Sequence, residues 1–290
     1  MQKKDVSYRV EANVPLMQYL LQTLSDRSRD NVKSLLRNKQ VWVNGKAVSQ
    51  FNHPLLPGDE VEIRRVRKTD LPPAHLLKII YEDEHLIVID KKSGLLSVSD
   101  GHDHVTAFGI ISEWVKHEDP QNRIYLVHRL DQHTSGLLMF AKSEEVQNIF
   151  RNDWKKYITE RTYIAIVEGQ VKKAEGQVRS YLLENQALVM ISGQDPSKGK
   201  YAITRYKTVK TNSRYSLLHV NLETGRKNQI RVHMQDIGHS VAGDRKYGAK
   251  TSPIGRLSLH AMVLAFTHPV TSEPLRFESA APPEFLRLFS

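Results

Sequence analysis

The sequence predicts an α+β fold in two parts, and three observations carry that reading. Apolar runs of strand length recur from residue 78 onward with few helical stretches between them, the pattern of a mainly antiparallel mixed sheet. Residues 1–70 hold 13 Lys/Arg against 8 Asp/Glu, so this stretch carries half of the chain's net charge of +10. A charge run from Arg64 to Lys68 then leads into Pro72-Pro73, and adjacent prolines end regular pairing and stiffen a connection. We therefore expect a small α/β domain over 1–70, a linker over 71–76 and a larger α+β domain over 77–290.

The small domain reads as two short helices and a hairpin. Leu16, Leu20 and Leu24 recur at helical spacing after Pro15. Ser28 is placed to cap a second helix, Arg29 to Asn38, on which Val32, Leu35 and Leu36 share one face. Arg29, Lys33 and Arg37 recur every fourth residue on another face. Asn44-Gly45 between Val41-Trp42-Val43 and Lys46-Ala47-Val48 signals a tight hairpin, because both turn positions need positive φ. Pro57-Gly58-Asp59-Glu60 is a further turn, leading into Val61-Glu62-Ile63.

In the large domain, strands are expected at Lys78–Tyr81, Leu86–Ile89, Leu137–Phe140, Tyr163–Val167, Ala187–Ile191, Tyr201–Val209 and Ser216–Leu222. Leu218, Val220 and Leu222 alternate with polar neighbours, which suits a half-buried antiparallel strand. Ser143 caps an expected helix with Glu144 and Glu145 in its first turn and Lys155 and Lys156 near its end, a charge order that suits the helix dipole. Lys227 to Ile237 reads as another helix, with Ile230, Met234 and Ile237 as its apolar stripe and Gly238 as its stop.

Composition removes several function classes. A chain with 42 Lys/Arg and 32 Asp/Glu attracts polyanions. It has no cysteine, which excludes disulfide scaffolds, cysteine nucleophiles and thiolate metal sites. It lacks a phosphate-binding loop, a dinucleotide glycine fingerprint, an H-E-x-x-H pair and a G-x-S-x-G elbow, so no nucleotide cofactor is expected. Its 13 histidines, including His128, His133, His233, His239, His260 and His268, fit no standard ligand spacing, and no metal is expected. No apolar stretch reaches the roughly 20 residues that span a bilayer, and the first residues lack the apolar run of a signal peptide. The expectation is a cytoplasmic protein, off the membrane, with an anionic partner.

The segment with most chemical content is Leu126-Val127-His128-Arg129-Leu130-Asp131-Gln132-His133-Thr134-Ser135-Gly136-Leu137-Leu138-Met139-Phe140. It reads as an apolar stretch, a polar loop with one carboxylate, a Thr-Ser-Gly turn and an apolar strand. Spacing alone leaves two uses open for Asp131: a turn aspartate bonding neighbouring amides, or a rigidly held catalytic carboxylate.

Two resemblances bear on that choice. Residues 25–48, with the later PLLPGDEVEI, resemble the small RNA-binding domain named after ribosomal protein S-four. This implies that Arg27, Arg29, Lys33 and Arg37 meet RNA phosphates, contacts that position RNA without reading its sequence. HRLDQHTSGLLMFAKS resembles the catalytic motif of the RluA-type pseudouridine synthases. Arg161-Thr162-Tyr163-Ile164-Ala165, then Thr224-Gly225-Arg226 through Gln229-Ile230-Arg231-Val232-His233, Gly238-His239, Gly243-Asp244, Tyr247-Gly248, Leu259-His260-Ala261 and Thr267-His268-Pro269 follow in the family's order. The chain departs from the family's usual pattern at Lys92 and Ser240, where proline is common, at Asn228, where histidine is common, and at Arg161, where lysine is frequent.

The second resemblance implies an isomerase that converts uridine in RNA to pseudouridine with no redox change, cofactor or group donor. Asp131 is implied as the nucleophile and Arg231 as the cation that holds it through a two-bond fork; a carboxylate in a dry pocket otherwise tends to protonate. Tyr163 is implied to stack on a flipped base and to assist in removing a ring proton. Arg129 is implied to fill the space the base leaves or to contact RNA beside it, Lys142 and Arg226 to contact phosphates, and His128 to shape the loop. Ribosomal RNA and tRNA both remain open as substrate, and a monomer is expected. Two other classes stay in view: a non-catalytic RNA-binding or ribosome-assembly factor, and a metal-dependent nuclease built on the histidines.

Overall fold

The computed structural model describes residues 6–25, 27, 29–37, 40–63, 73–99, 101 and 105–290, the side chains of 30, 34 and 37 excepted. Contacts divide the chain into two compact units, Met1–Leu71 and Pro72–Ser290. Ser28, expected as a helix cap, and residues 71 and 72 of the expected linker lie outside the described residues.

The first unit runs β1 (Val6–Arg9), β2 (Val14–Pro15), α1 (Leu16–Thr23), α2 (Arg29–Arg37), β3 (Val41–Val43), β4 (Lys46–Ala47), β5 (Pro54–Leu55) and β6 (Glu60–Ile63). Four strands pair antiparallel in the order β1-β6-β3-β4, and β2 pairs with β5. The β3–β4 hairpin turns at Asn44 and Gly45, whose φ values are 48° and 75°. Asn44 also fastens this hairpin to the next turn: its Nδ2 donates to Asp59 Oδ1 at 2.8 Å, and its Oδ1 accepts from the Glu60 amide at 2.9 Å. Leu16 and Leu20 of α1, and Val32, Leu35 and Leu36 of α2, are buried against Val41, Val61 and Ile63 of the sheet.

The second unit contains β7 (Leu77–Glu82), β8 (Leu86–Lys91), α3 (Ala107–Glu118), β9 (Tyr125–Leu126), β10 (Ser135–Ala141), α4 (Glu144–Asn152), α5 (Trp154–Tyr157), β11 (Ile158–Glu168), β12 (Glu175–Glu184), β13 (Met190–Gly193), β14 (Lys200–Thr211), β15 (Tyr215–Leu222), α6 (Gln229–Asp236), β16 (Leu259–Thr267), β17 (Pro274–Glu278) and α7 (Pro283–Leu286). Nine strands follow the order β13-β12-β14-β15-β11-β16-β10-β8-β7, with β17 paired to β16 and β9 to β10. Every pairing is antiparallel except β10 with β16, which run parallel through Ser135–His260 and Gly136–Ala261. This is the α+β class with a large, mostly antiparallel sheet. Its centre is covered on both faces: α3 and α6 contribute Ile110, Ile111, Ile230 and Met234 to one core, while α4 buries Val146 and Phe150 against Leu137, Met139 and Phe266 on the other. Among the described residues, no helix is long and apolar enough to cross a membrane.

Four local expectations are corrected. The Thr-Ser-Gly turn is instead the entry to a strand, because the chain reverses one step earlier at Gln132-His133 and β10 begins at Ser135. The expected strand at Ala187–Ile191 starts only at Met190; Asn185 Oδ1 accepts from the amides of Ala187 and Val189 and closes a turn, with Leu188 at φ 57°. The helix capped by Ser143, whose Oγ accepts from the Val146 amide at 3.2 Å, stops at Asn152. Lys155 and Lys156 therefore sit on the separate short helix α5. Strand β15 is buried on both faces over Tyr215–Leu218, so its alternation is visible only toward its end.

Candidate active site

The loop that carries Asp131 is held by the segment that follows β8. Leu130 gives its carbonyl to Ser97 Oγ at 2.7 Å and its amide to the same oxygen at 3.1 Å. The Gln132 carbonyl accepts from the Gly94 amide at 2.9 Å and from Lys91 Nζ at 3.1 Å, and the His133 carbonyl accepts from Ser93 Oγ at 2.7 Å. Lys91 is fully buried, and its ammonium also donates to the carbonyls of Leu95 (2.8 Å) and Lys92 (3.1 Å), so all three of its N–H groups are used. Burial pushes its pKa down to about 7, opposed by the charge of Asp131.

Beyond the loop, Gly136 brings β10 against β16. At φ +110°, it lies where a Cβ would stand 2.2 Å from the Ala261 carbonyl oxygen. Ala261 pairs on its other side with Tyr163 of β11. The Asp131 loop and Tyr163 are thus set near one another by a single intervening strand.

Helix α6 supplies the opposite wall. Buried Gln229, at its start, accepts through Oε1 from Thr224 Oγ1 (2.8 Å) and from the Arg226 amide (3.0 Å), which ties the preceding loop to the helix. Asn228 precedes it in the left-handed conformation, φ 54°. Two residues after Gln229 is Arg231, whose fork is divided. Its Nε and Nη2 donate to the two oxygens of Asp244 at 2.6 and 2.8 Å, while Nη1 donates to Asp131 Oδ2 at 3.1 Å and to Asn228 Oδ1 at 3.1 Å. The ring of buried Tyr247 lies 4.7 Å from its guanidinium carbon, and the Tyr247 hydroxyl accepts from Asn228 Nδ2 at 2.8 Å. Burial works against the Arg231 charge, but the hydrogen bonds and charge of Asp244, with Asp131 after them, hold its pKa above the ordinary value.

This arrangement differs from the expected one. The two-bond grip of Arg231 goes to Asp244, a side chain only 2% exposed, and Asp131 at 27% receives one bond. Among the described residues, Asp131 Oδ1 makes no hydrogen bond. Asp131 faces a cleft of about 530 Å³ that is also lined by Arg129, Tyr163, Arg226, Asn228 and Arg231, room for a nucleoside. Tyr163 is buried, and desolvation raises its phenol pKa, so it is neutral near pH 7. His128 accepts the Met139 amide on Nε2 at 3.2 Å and packs on Trp154; burial, then the charge of Arg161, push it down to about 3, a neutral ring that fixes the loop.

The remaining expected residues separate. Arg129 is exposed at the rim, and Arg226 donates through Nε to the Tyr201 carbonyl at 3.1 Å. Lys142 does not line the cleft; it pairs with Glu82 at 2.7 Å and donates to the Asp83 carbonyl at 2.6 Å. Arg27, Arg29 and Lys33 are exposed on the first unit, and the Arg37 side chain lies outside the described residues. Sequence reasoning passed over Asp244, Tyr247, Lys91 and Ser97. Gly243-Asp244 and Tyr247-Gly248 were visible as a motif, but nothing in their spacing pointed back to Arg231. The histidines take ordinary bonds: His233 lies between Ser180 and Thr204, and His260 against Ser135.

A sheet-centred cleft with a cation-held carboxylate suits an enzyme active site, and comparison with known proteins gives its class. The sequence profile of the RNA pseudouridylate synthase family matches residues 85–236. An uncharacterized RNA pseudouridine synthase of Chlorobaculum parvum is 31% identical over 96% of this chain and 93% of its own. The ribosomal large subunit pseudouridine synthase D of Nitrosomonas europaea is 31% identical over 96% of this chain and 84% of its own. The structure of human RNA pseudouridylate synthase domain containing 4 shares the fold, with a TM-score of 0.59 and 22% identity over 72% of this chain and 90% of that one. The chain belongs to the RNA pseudouridine synthase family and is of the RluA type. It is an isomerase acting on RNA.

Proposed function

We propose that Asp131 is the nucleophile of pseudouridine formation and that the 530 Å³ cleft receives a uridine flipped out of its stack. The observation that carries this is the divided fork of Arg231. Anchored on Asp244 by two bonds, it keeps one N–H for Oδ2 of the cleft-lining Asp131 and leaves Oδ1 of that carboxylate unbonded among the described residues. A carboxylate so held stays in one orientation without using both of its oxygens.

In the reaction, the bond from uracil N1 to ribose C1′ breaks. The base turns, a bond from C5 to C1′ forms, C5 loses its proton and N1 gains one. No electron is gained or lost. Tyr163 stacks on the base; its raised pKa makes the neutral phenol a platform and hydrogen-bond donor rather than a ready phenolate base. Arg129, on the rim, occupies the gap left in the RNA, and Arg226 meets its backbone. The exposed Arg27, Arg29 and Lys33 of the first unit add phosphate contacts. A ribosomal RNA substrate is favoured by the name of the Nitrosomonas europaea relative and by the basic first unit, which suits a large structured RNA.

The test is tritium release from RNA labelled at C5 of its uridines. The wild-type protein should release tritium, and Asp131→Asn should lower release by several orders of magnitude while still binding RNA. Full release by that variant would refute the assignment.

A further inference from the structure

Among the described residues, Arg161 is a cleft-lining cation that no carboxylate pairs with. Arg161 lies two residues before Tyr163 on the same face of β11 and lines the cleft with it. Its half-buried guanidinium stacks over the indole of Trp154, 5.0 Å from the ring centre. Of its five N–H donors, one makes a long 3.4 Å bond to the Leu222 carbonyl, and among the described residues no carboxylate pairs with it. Two carboxylates of this sheet are engaged elsewhere: Glu223, just past β15, pairs with Arg205, and Glu184 of β12 with Lys227. Nor does His128 compete for an anion, since its ring is neutral.

The surroundings keep room for this group. A Cβ on Gly225 would stand 2.9 Å from Arg161 Nη1, so the loop before α6 leaves space there that any larger residue would take. The Trp154 ring supports the guanidinium through a cation–π contact, which uses none of its N–H donors. A half-buried cation with unused planar donors suits an anion that offers two oxygens on one side.

We infer that Arg161, seated on Trp154, binds a phosphodiester of the RNA strand beside the nucleoside held at Asp131 and Tyr163. This rests on the reading of the cleft given above. Its role is to place the strand, and the reacting atoms are left to Asp131.

Steady-state tritium release from C5-labelled cellular RNA, isolated from a strain without this gene, tests it across a salt series. Arg161→Met should raise KM about tenfold or more, the loss of one charged hydrogen-bonding site. It should also reduce the slope of log KM against log salt by about 0.7, one single-strand phosphate. Arg161→Lys should restore the slope, because the charge is kept, while recovering only part of the affinity. Arg161→Gln should repeat the reduced slope and replaces the methionine variant if that variant's melting curve shows it unfolded. A role in packing on Trp154 alone would change melting and leave the slope at the wild-type value; that result overturns the inference. Asp131→Asn run in parallel separates the two claims: full release by that variant overturns the nucleophile assignment, whereas an unchanged salt slope in the Arg161 variants overturns this inference.

Discussion

Asp244 holds Arg231 by two hydrogen bonds of 2.6 and 2.8 Å, and the pair is nearly shut off from water, with side chains 2% and 14% exposed. Removing one partner of such a pair strands the other charge, which costs about 3–5 kcal/mol where burial is deep. Asp244→Asn keeps the shape and loses the charge. We expect a stability loss of about 3 kcal/mol in urea unfolding and at least about a hundredfold lower kcat, because Arg231 no longer holds Asp131. Unchanged kcat in a folded variant would show that Asp131 does not depend on this anchor.

Gly136 tests the closure of the sheet. With φ at +110° and the Ala261 carbonyl oxygen 2.2 Å from the place of a Cβ, alanine meets backbone on one side and strain on the other. Gly136→Ala should destabilise the second unit by more than about 3 kcal/mol, a size tied to overpacking and backbone strain together. Thermal unfolding followed by circular dichroism reads this, and a melting point within a degree or two of wild type would contradict the geometry.

Lys91 gives a pH dependence with a definite sign. Its pKa falls from 10.5 to about 7 on folding, with burial the main cause. Between those values the unfolded chain binds more protons than the folded one, so this group makes stability rise with pH from about 7 toward 10.5, and its penalty is complete below 7. The slope for one proton is at most about 1.4 kcal/mol per pH unit. Lys91→Met removes that slope and leaves the carbonyls of Leu95, Lys92 and Gln132 short of a donor. Unfolding free energies measured from pH 6 to 10 should therefore diverge, the wild type gaining on the variant as pH rises. Parallel curves would mean that Lys91 does not titrate in this range.

Local signals were legible where one short stretch decides the outcome. Asn44-Gly45 turns the hairpin, Ser143 caps α4 and Gly238, at φ 79°, ends the last turn after α6. The pairing of Asp131 with Arg231 was expected from the family's motifs, but the sharing of the fork with Asp244 was not, since a Gly-Asp step reads as an ordinary turn. Helix α3 and strands β12, β16 and β17 were not identified. In β16, Leu-His-Ala-Met-Val-Leu-Ala-Phe-Thr is apolar on both sides because it lies inside the sheet, so the two-residue rhythm of a strand is absent. Asp153, with φ −124°, breaks what looked like one helix into α4 and α5, and that break places Trp154 under Arg161.

The parallel contact between β10 and β16 joins positions 135 and 260, which are separated by 125 residues. A chain emerging from the ribosome would thus display the Asp131 loop long before β16 can slide between it and β11. Until that late insertion the nascent protein has the pieces of a pocket without the pocket. Distant pairings of this kind slow folding, so the final rise of activity during synthesis should track release of the C-terminal strands rather than completion of the loop itself.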